Sequence, residues 1–312
     1  MTDFLAKYAF PAKLLISVSL LGYCFYLIDW TVFRGISVKH GWVVGAIGLI
    51  LVANLVGALR FKTLLDPIAK IKFSKHVKYY FWAGFFNSTL PTSIGGDAMR
   101  IVWLLNDGVS VNKSTFFVLL ERSLGVLSLA LIASLAAIYL ELPGHLRDTL
   151  WGTIQILFIA AFVVLVATRW SRKLSITRRA IRLLRSTLRK MPLLAKVALI
   201  GLSFIYQGLT VIITICLALS MGIYLDWNVW FFVIPLLWLL TVLPISIGGL
   251  GVREVGLVFF LGHYSQSAEQ AIALGLLTFL TYLAVGTVGG VWYSIDSQNP
   301  RRARSQNVAN PP

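Results

Sequence analysis

Apolar residues in this chain run in long blocks rather than alternating with polar ones, and the block lengths predict the elements. Six blocks, at 12–29, 41–60, 114–140, 150–169, 195–221 and 268–294, are dominated by Leu, Ile, Val, Ala and Phe. Each approaches the ~20 residues that an α-helix needs to cross about 30 Å of hydrocarbon, so each predicts a spanning helix. Two further apolar regions, 79–106 and 228–262, are interrupted midway. The interruptions are nearly the same text: "LPTSIGGDAMR" from Leu90 to Arg100 and "LPISIGGLGVR" from Leu243 to Arg253, identical at seven of eleven positions. Proline stops the incoming helix and the glycine pair permits a sharp reversal, so each region predicts two short helices in a re-entrant hairpin.

Charge orients these elements. With the N-terminus in the cytoplasm, most of the 28 Lys and Arg fall on cytoplasmic segments, including Arg60, Lys62, Lys70, Lys72, Lys75 and Lys78. The loop after the fourth span and the tail after 296 add most of the rest, while the outer loops carry only Arg34, Lys39 and Arg147. Positive residues are retained inside, so both termini are expected in the cytoplasm. Three spans separate the two motifs, and an odd number places them on opposite sides. The chain therefore reads as an all-α polytopic membrane protein with an inverted-topology repeat, each half three spans and one broken hairpin. The expected divisions are 1–140, 141–296 and a basic tail at 297–312. A basic amphipathic helix at about 171–190, where Arg178, Arg182, Arg185 and Arg189 recur at helical spacing, is expected on the inner membrane surface.

Composition sharpens this picture and removes alternatives. The chain has 312 residues, 58% hydrophobic, 13% charged, with mean hydropathy +0.81. No soluble domain of this size carries so much apolar surface. The net charge of +16 is then an orientation signal rather than a nucleic-acid footprint, and no nucleic-acid partner is expected. Cys24 and Cys216 sit within apolar blocks, and His40, His76, His145 and His263 fall in connecting segments without metal-ligand spacing. No metal or cofactor is expected. Leu14–Ile28 lacks a small-residue cleavage site after it and reads as a retained first helix. The aromatic runs Tyr79–Trp82 and Trp227–Phe232 read as interfacial belts.

Charges at membrane depth are costly, about 2.5–3.5 kcal/mol each on insertion scales, and so they nominate a site. The embedded set is Asp97 and Arg100, Glu121 and Arg122, Arg253 and Glu254. Their balance allows a purely structural reading in which they pair, Glu121 with Arg122 and Glu254 with Arg253. The functional reading rests on the arginines. Asp97 is placed to cap a new short helix, with Arg100 in its first turn beside free backbone N–H groups, and Arg253 repeats the arrangement with Leu250 replacing the capping residue. Such a spot suits an anion, above all a phosphate. The expected substrate-binding set is Arg100, Arg253, Asp97, Glu121, Arg122 and Glu254, with Gly95, Gly96, Gly248 and Gly249 allowing close backbone approach.

The doubled Leu-Pro-x-x-x-Gly-Gly-x-x-x-Arg pattern and "LLERSLG" from Leu119 to Gly125 resemble the flippase-like membrane domain of lysylphosphatidylglycerol synthases. The resemblance covers essentially the whole chain and implies movement of a lipid between leaflets of a bacterial inner membrane. In full synthases a soluble aminoacyl-transferase domain follows; here a short polar tail follows, so the synthase reaction is not expected. Stand-alone members of the family imply a possible lipid or glycan synthase partner. No phosphate-binding Gly-x-x-x-x-Gly-Lys-Ser/Thr loop is present, so ATP is not expected to drive transport. The alternatives are an inverted-repeat carrier of a soluble anion and a scaffold for a separate synthase. A membrane-embedded enzyme would need a nucleophile, a metal set or a His–carboxylate pair at depth, and the sequence shows none.

Overall fold

A computed structural model of the chain describes residues 19, 22–24, 26, 29, 31–32, 35–90, 95–140, 175–242, 249 and 251–297. The described residues form α1 (His40–Leu65), α2 (Phe73–Thr89), α3 (Gly95–Asn106), α4 (Val111–Ile138) and α5 (Ser175–Lys190). They continue with α6 (Leu193–Ser220), α7 (Trp227–Val242), α8 (Val252–Gly262) and α9 (Ala268–Ser297). No strand occurs among them. Four helices, α1, α4, α6 and α9, are long and apolar enough to cross a membrane, and they match the second, third, fifth and sixth predicted spans. Most of the first span, the fourth span, most of both Pro-containing linkers and the tail lie outside the described residues.

The two broken regions are broken where the sequence predicts. α2 stops at Thr89, and Leu90, which precedes Pro91, takes extended angles of φ −80° and ψ 143°. A residue before proline is pushed out of the helical region, so the stop is local chemistry. In the second region α7 and α8 are separated by a turn in which Gly249 and Gly251 adopt φ of 79° and 81°. That left-handed backbone strains any side chain, so glycine is required at both positions. Pro235 sits inside α7 without ending it.

Packing assembles these pieces into one bundle. α1 runs along α6, α9 along α2, and α7 along α4. The α2–α9 contact depends on missing side chains. A Cβ at Gly289 would fall on the Phe81 carbonyl, and one at Gly290 would meet the Phe85 ring at 2.6 Å. Small residues let two backbones approach where lipid supplies no hydrophobic drive for helix association. The main core gathers Val211, Ile213 and Leu217 of α6 with Trp230, Phe232 and Val233 of α7. Outward faces stay apolar, with Leu51, Leu55 and Leu59 on α1 and Leu127, Leu131 and Leu135 on α4 all exposed. Helices that are apolar both inside and outside belong in lipid, and this is a multi-pass membrane protein.

Some expectations change here. Tyr79 and Trp82 do not belong to an interfacial belt but are buried in an aromatic cluster with Trp103 and Tyr293. His76 lies inside α2, fully buried edge-on to Phe61, rather than in a connecting segment. The basic helix is present as α5, and from Ile181 onward Arg182, Arg185 and Arg189 are exposed while Thr187 is buried.

Candidate functional site

A cavity of about 550 Å³ opens where α1, α2, α3, α4, α6, α7, α8 and α9 converge, and its wall holds residues of both motifs. Arg60, Asp97, Arg100, Glu121, Arg122 and Arg253 all line it. Charge, rather than apolar surface, distinguishes its first side. Glu121, 2% exposed, accepts from Arg60 Nε at 3.3 Å and Nη2 at 3.1 Å, and from Arg100 Nη2 at 2.5 Å. The Tyr80 hydroxyl donates to the same carboxylate. Charge-assisted bonds of this kind are about twice as strong as neutral ones, which is how α1, α2, α3 and α4 hold a carboxylate at depth.

The guanidinium faces are also covered. Arg60 Cζ lies 4.7 Å from the centroid of the Tyr206 ring. Arg100 Cζ lies 4.1 Å from the Phe61 centroid and 4.6 Å from that of Tyr80. Such cation–π contacts are worth about 0.5–2 kcal/mol and are strongest where water is excluded. Beside this cluster Asp97 accepts from Arg122 at 2.6 Å and approaches Arg100 at 3.5 Å. Arg253, which enters the wall from α8, holds Glu254, with Nη2 at 2.6 Å and Nε at 3.1 Å from Oε1.

Several sequence expectations are corrected by this geometry. Arg60 was assigned to a cytoplasmic loop; α1 continues past it to Leu65 and buries it to 5% exposure. Glu121 pairs not with Arg122 but with Arg60 of α1 and Arg100 of α3, which pack against its face of α4. Arg122 turns instead to Asp97. Asp97 is the third residue of α3 rather than its cap, which puts Arg100 in the second turn. At each of the two helix starts, of α3 and of α8, one backbone N–H already has a side-chain partner. Gly96 donates to Asn87 Oδ1 at 2.8 Å, and Gly251, which precedes α8, donates to Glu254 Oε2 at 2.7 Å. The expected pairing of Glu254 with Arg253 is observed.

The glycines act from behind the wall. A Cβ at Gly96 would lie 2.8 Å from Asn87 Oδ1, and one at Gly249 would lie 2.9 Å from Thr241 Cγ2. A Cβ at Gly95 would lie 2.6 Å from Leu90 Cδ1, and Gly248 lies outside the described residues. The sequence reading missed Tyr206, Gln207, Trp238 and Tyr282, which complete the wall. Gln207 Nε2 donates to the Gly125 carbonyl at 3.2 Å, and Trp238 packs edge-on to Tyr282. A polar residue in the middle of an apolar helix, Gln207 above all, was the available signal. Among the described residues no group of His, Cys, Asp and Glu is arranged to hold a metal ion.

The fold and this polar cavity define a multi-pass helical membrane protein with a charged interior. The chain belongs to the family of the lysylphosphatidylglycerol synthase TM region, which matches residues 11–290. Comparison with curated proteins finds no match. Family membership carries a membrane, lipid-related role.

Proposed function

We propose that this protein moves an anionic or zwitterionic lipid between leaflets of a bacterial inner membrane, as a flippase or scramblase without chemistry of its own. The observation that carries the reading is that a single cavity is lined by Arg100 of the first motif and Arg253 of the second. Four arginines line it, Arg60, Arg100, Arg122 and Arg253, and they pair with three carboxylates, Asp97, Glu121 and the fully buried Glu254, leaving one excess positive charge among the described residues. A neutral structural network would need no excess. An anionic headgroup would neutralise it while the acyl chains stayed against the apolar outer faces. The two halves, related by inversion, would open the cavity alternately to each side. With the cell interior negative, outward movement of one net negative charge gains about 2.3 kcal/mol per 100 mV, so a membrane potential is sufficient to bias direction.

The test is translocation of headgroup-labelled phospholipids in vesicles reconstituted with the full chain. Wild type is expected to accelerate exchange between leaflets over protein-free vesicles, and Arg253→Ala to slow it about tenfold, as loss of a charge-assisted bond implies. Uptake of a soluble anion without lipid exchange would replace this reading by the anion-carrier one. Wild-type exchange no faster than in protein-free vesicles would end it.

A further inference from the structure

The two motif arginines look equivalent in the sequence and are not equivalent in the fold. Among the described residues Arg253 pairs with its neighbour Glu254 alone, whereas Arg100 shares Glu121 with Arg60. Together Arg60 and Arg100 hold more donors than one carboxylate satisfies. Arg60 uses Nε and Nη2 on Glu121, and its Nη1 is buried with no hydrogen-bond partner among the described residues. Arg100 uses Nη2 on Glu121 and leaves Nε buried and unpaired in the same way. Buried guanidinium N–H groups are ordinarily satisfied, so two orphans on one cluster call for an explanation. Arg60 Nη1 lies 3.9 Å from where a Cβ at Gly125 would stand, and Gly125 lines the cavity.

We infer that Arg60 and Arg100 form a binding site for a phosphate group, with Glu121 as an internal counter-ion that already occupies part of it. This rests on the cavity being a ligand route, as proposed above, and identifies the ligand chemistry at its first side. A phosphate oxygen supplies acceptors to the two orphaned donors, and Arg60 and Arg100 outweigh Glu121 by one positive charge. Asp97 does not cancel that excess, because Arg122 balances it. Glu121 has a second effect. Its charge repels the incoming anion, so the site binds reversibly rather than trapping its ligand, as a conduction path requires. The phosphate could belong to a lipid headgroup or be free inorganic phosphate.

Native mass spectrometry of the full chain in detergent separates these sources, using phosphatidylglycerol against diacylglycerol in one arm and inorganic phosphate in the other. Glu121→Gln keeps the shape of the side chain and removes the counter-charge, and is expected to retain phosphatidylglycerol about tenfold more tightly. Arg60→Lys keeps the charge but lacks the Nη1 donor, and is expected to retain it about tenfold less. Diacylglycerol, which has no phosphate, is expected to be indifferent to both. A contribution of Glu121 to folding alone would produce no gain of binding. The same ordering with inorganic phosphate and not with lipid supports the site while overturning the lipid-translocation reading. Lipid exchange in vesicles with retention unchanged in both variants leaves translocation standing and overturns the site. Should either variant fail to fold, the wild type decides: phosphatidylglycerol or phosphate must raise its melting temperature more than diacylglycerol does, and equal shifts overturn the inference.

Discussion

At the scale of single residues, Glu121 is the joint of the first half. It accepts from Arg60, Arg100 and Tyr80, which come from three different helices. Removing one partner of a buried ion pair leaves uncompensated charge, at about 3–5 kcal/mol. Glu121→Ala is therefore expected to lower the melting temperature of the purified protein sharply, since it strands two arginines. Tyr80→Phe removes one hydrogen bond to a charged group and should cost less, about 1.5–3 kcal/mol. Thermal denaturation of both variants checks the order, and equal losses would show that Glu121 is not the shared acceptor. The more exposed i, i+4 pair of Lys62 with Asp66 at the end of α1 is a contrast, since exposed pairs contribute about 0–1 kcal/mol.

At the scale of elements, the α2–α9 contact admits little change. Gly286, Gly289 and Gly290 recur on one face of α9, and a Cβ at each would meet α2: near the Gly84 carbonyl at 3.3 Å, on the Phe81 carbonyl, and at the Phe85 ring. Backbone cannot move aside as a side-chain tip can. Gly289→Ala is expected to force the helices apart and destabilise by about 1–3 kcal/mol. Gly48, on the outer face of α1, has nothing within 4 Å of an added Cβ, so Gly48→Ala should be close to neutral. Thermal stability of the two alanine variants side by side measures the difference directly. The spans themselves were legible because apolar length is a local property. The α2–α9 seam was not, because a glycine triplet in a sequence does not say what stands opposite it.

At the scale of the whole molecule, charge distribution and packing separate into different tasks. α5 carries Arg182, Arg185, Arg189 and Lys190 on exposed positions, which suits an anionic cytoplasmic leaflet at about 1 kcal/mol per cation. Ser186, exposed on the same helix, offers a position to test orientation. Ser186→Cys is expected to react with a membrane-impermeant maleimide in inverted vesicles and to be protected in intact cells. Reaction in intact cells would reverse the predicted topology. Arg60 shows how the same residue type serves the other task. Counted by sequence it belongs with the inner-face cations, yet the fold carries it into the cavity.

The sequence by itself determined the helical membrane class, the positions of four described spans and the two breaks, and it singled out six charged residues within apolar segments. These follow from apolar length, from proline and glycine backbone limits, and from the cost of charge in hydrocarbon, all of which act over a few neighbouring residues. Only the tertiary structure decided the partners. Glu121 meets Arg60 across 61 positions and Tyr80 across 41, and Arg100 and Arg253 reach one cavity from separate broken segments. Which carboxylate an arginine finds depends on how α1, α2, α3 and α4 rotate against one another. That rotation is set by close approaches such as Gly57 against the Tyr80 ring and Gly96 against α2, which depend on the neighbouring helix as much as on the glycine itself.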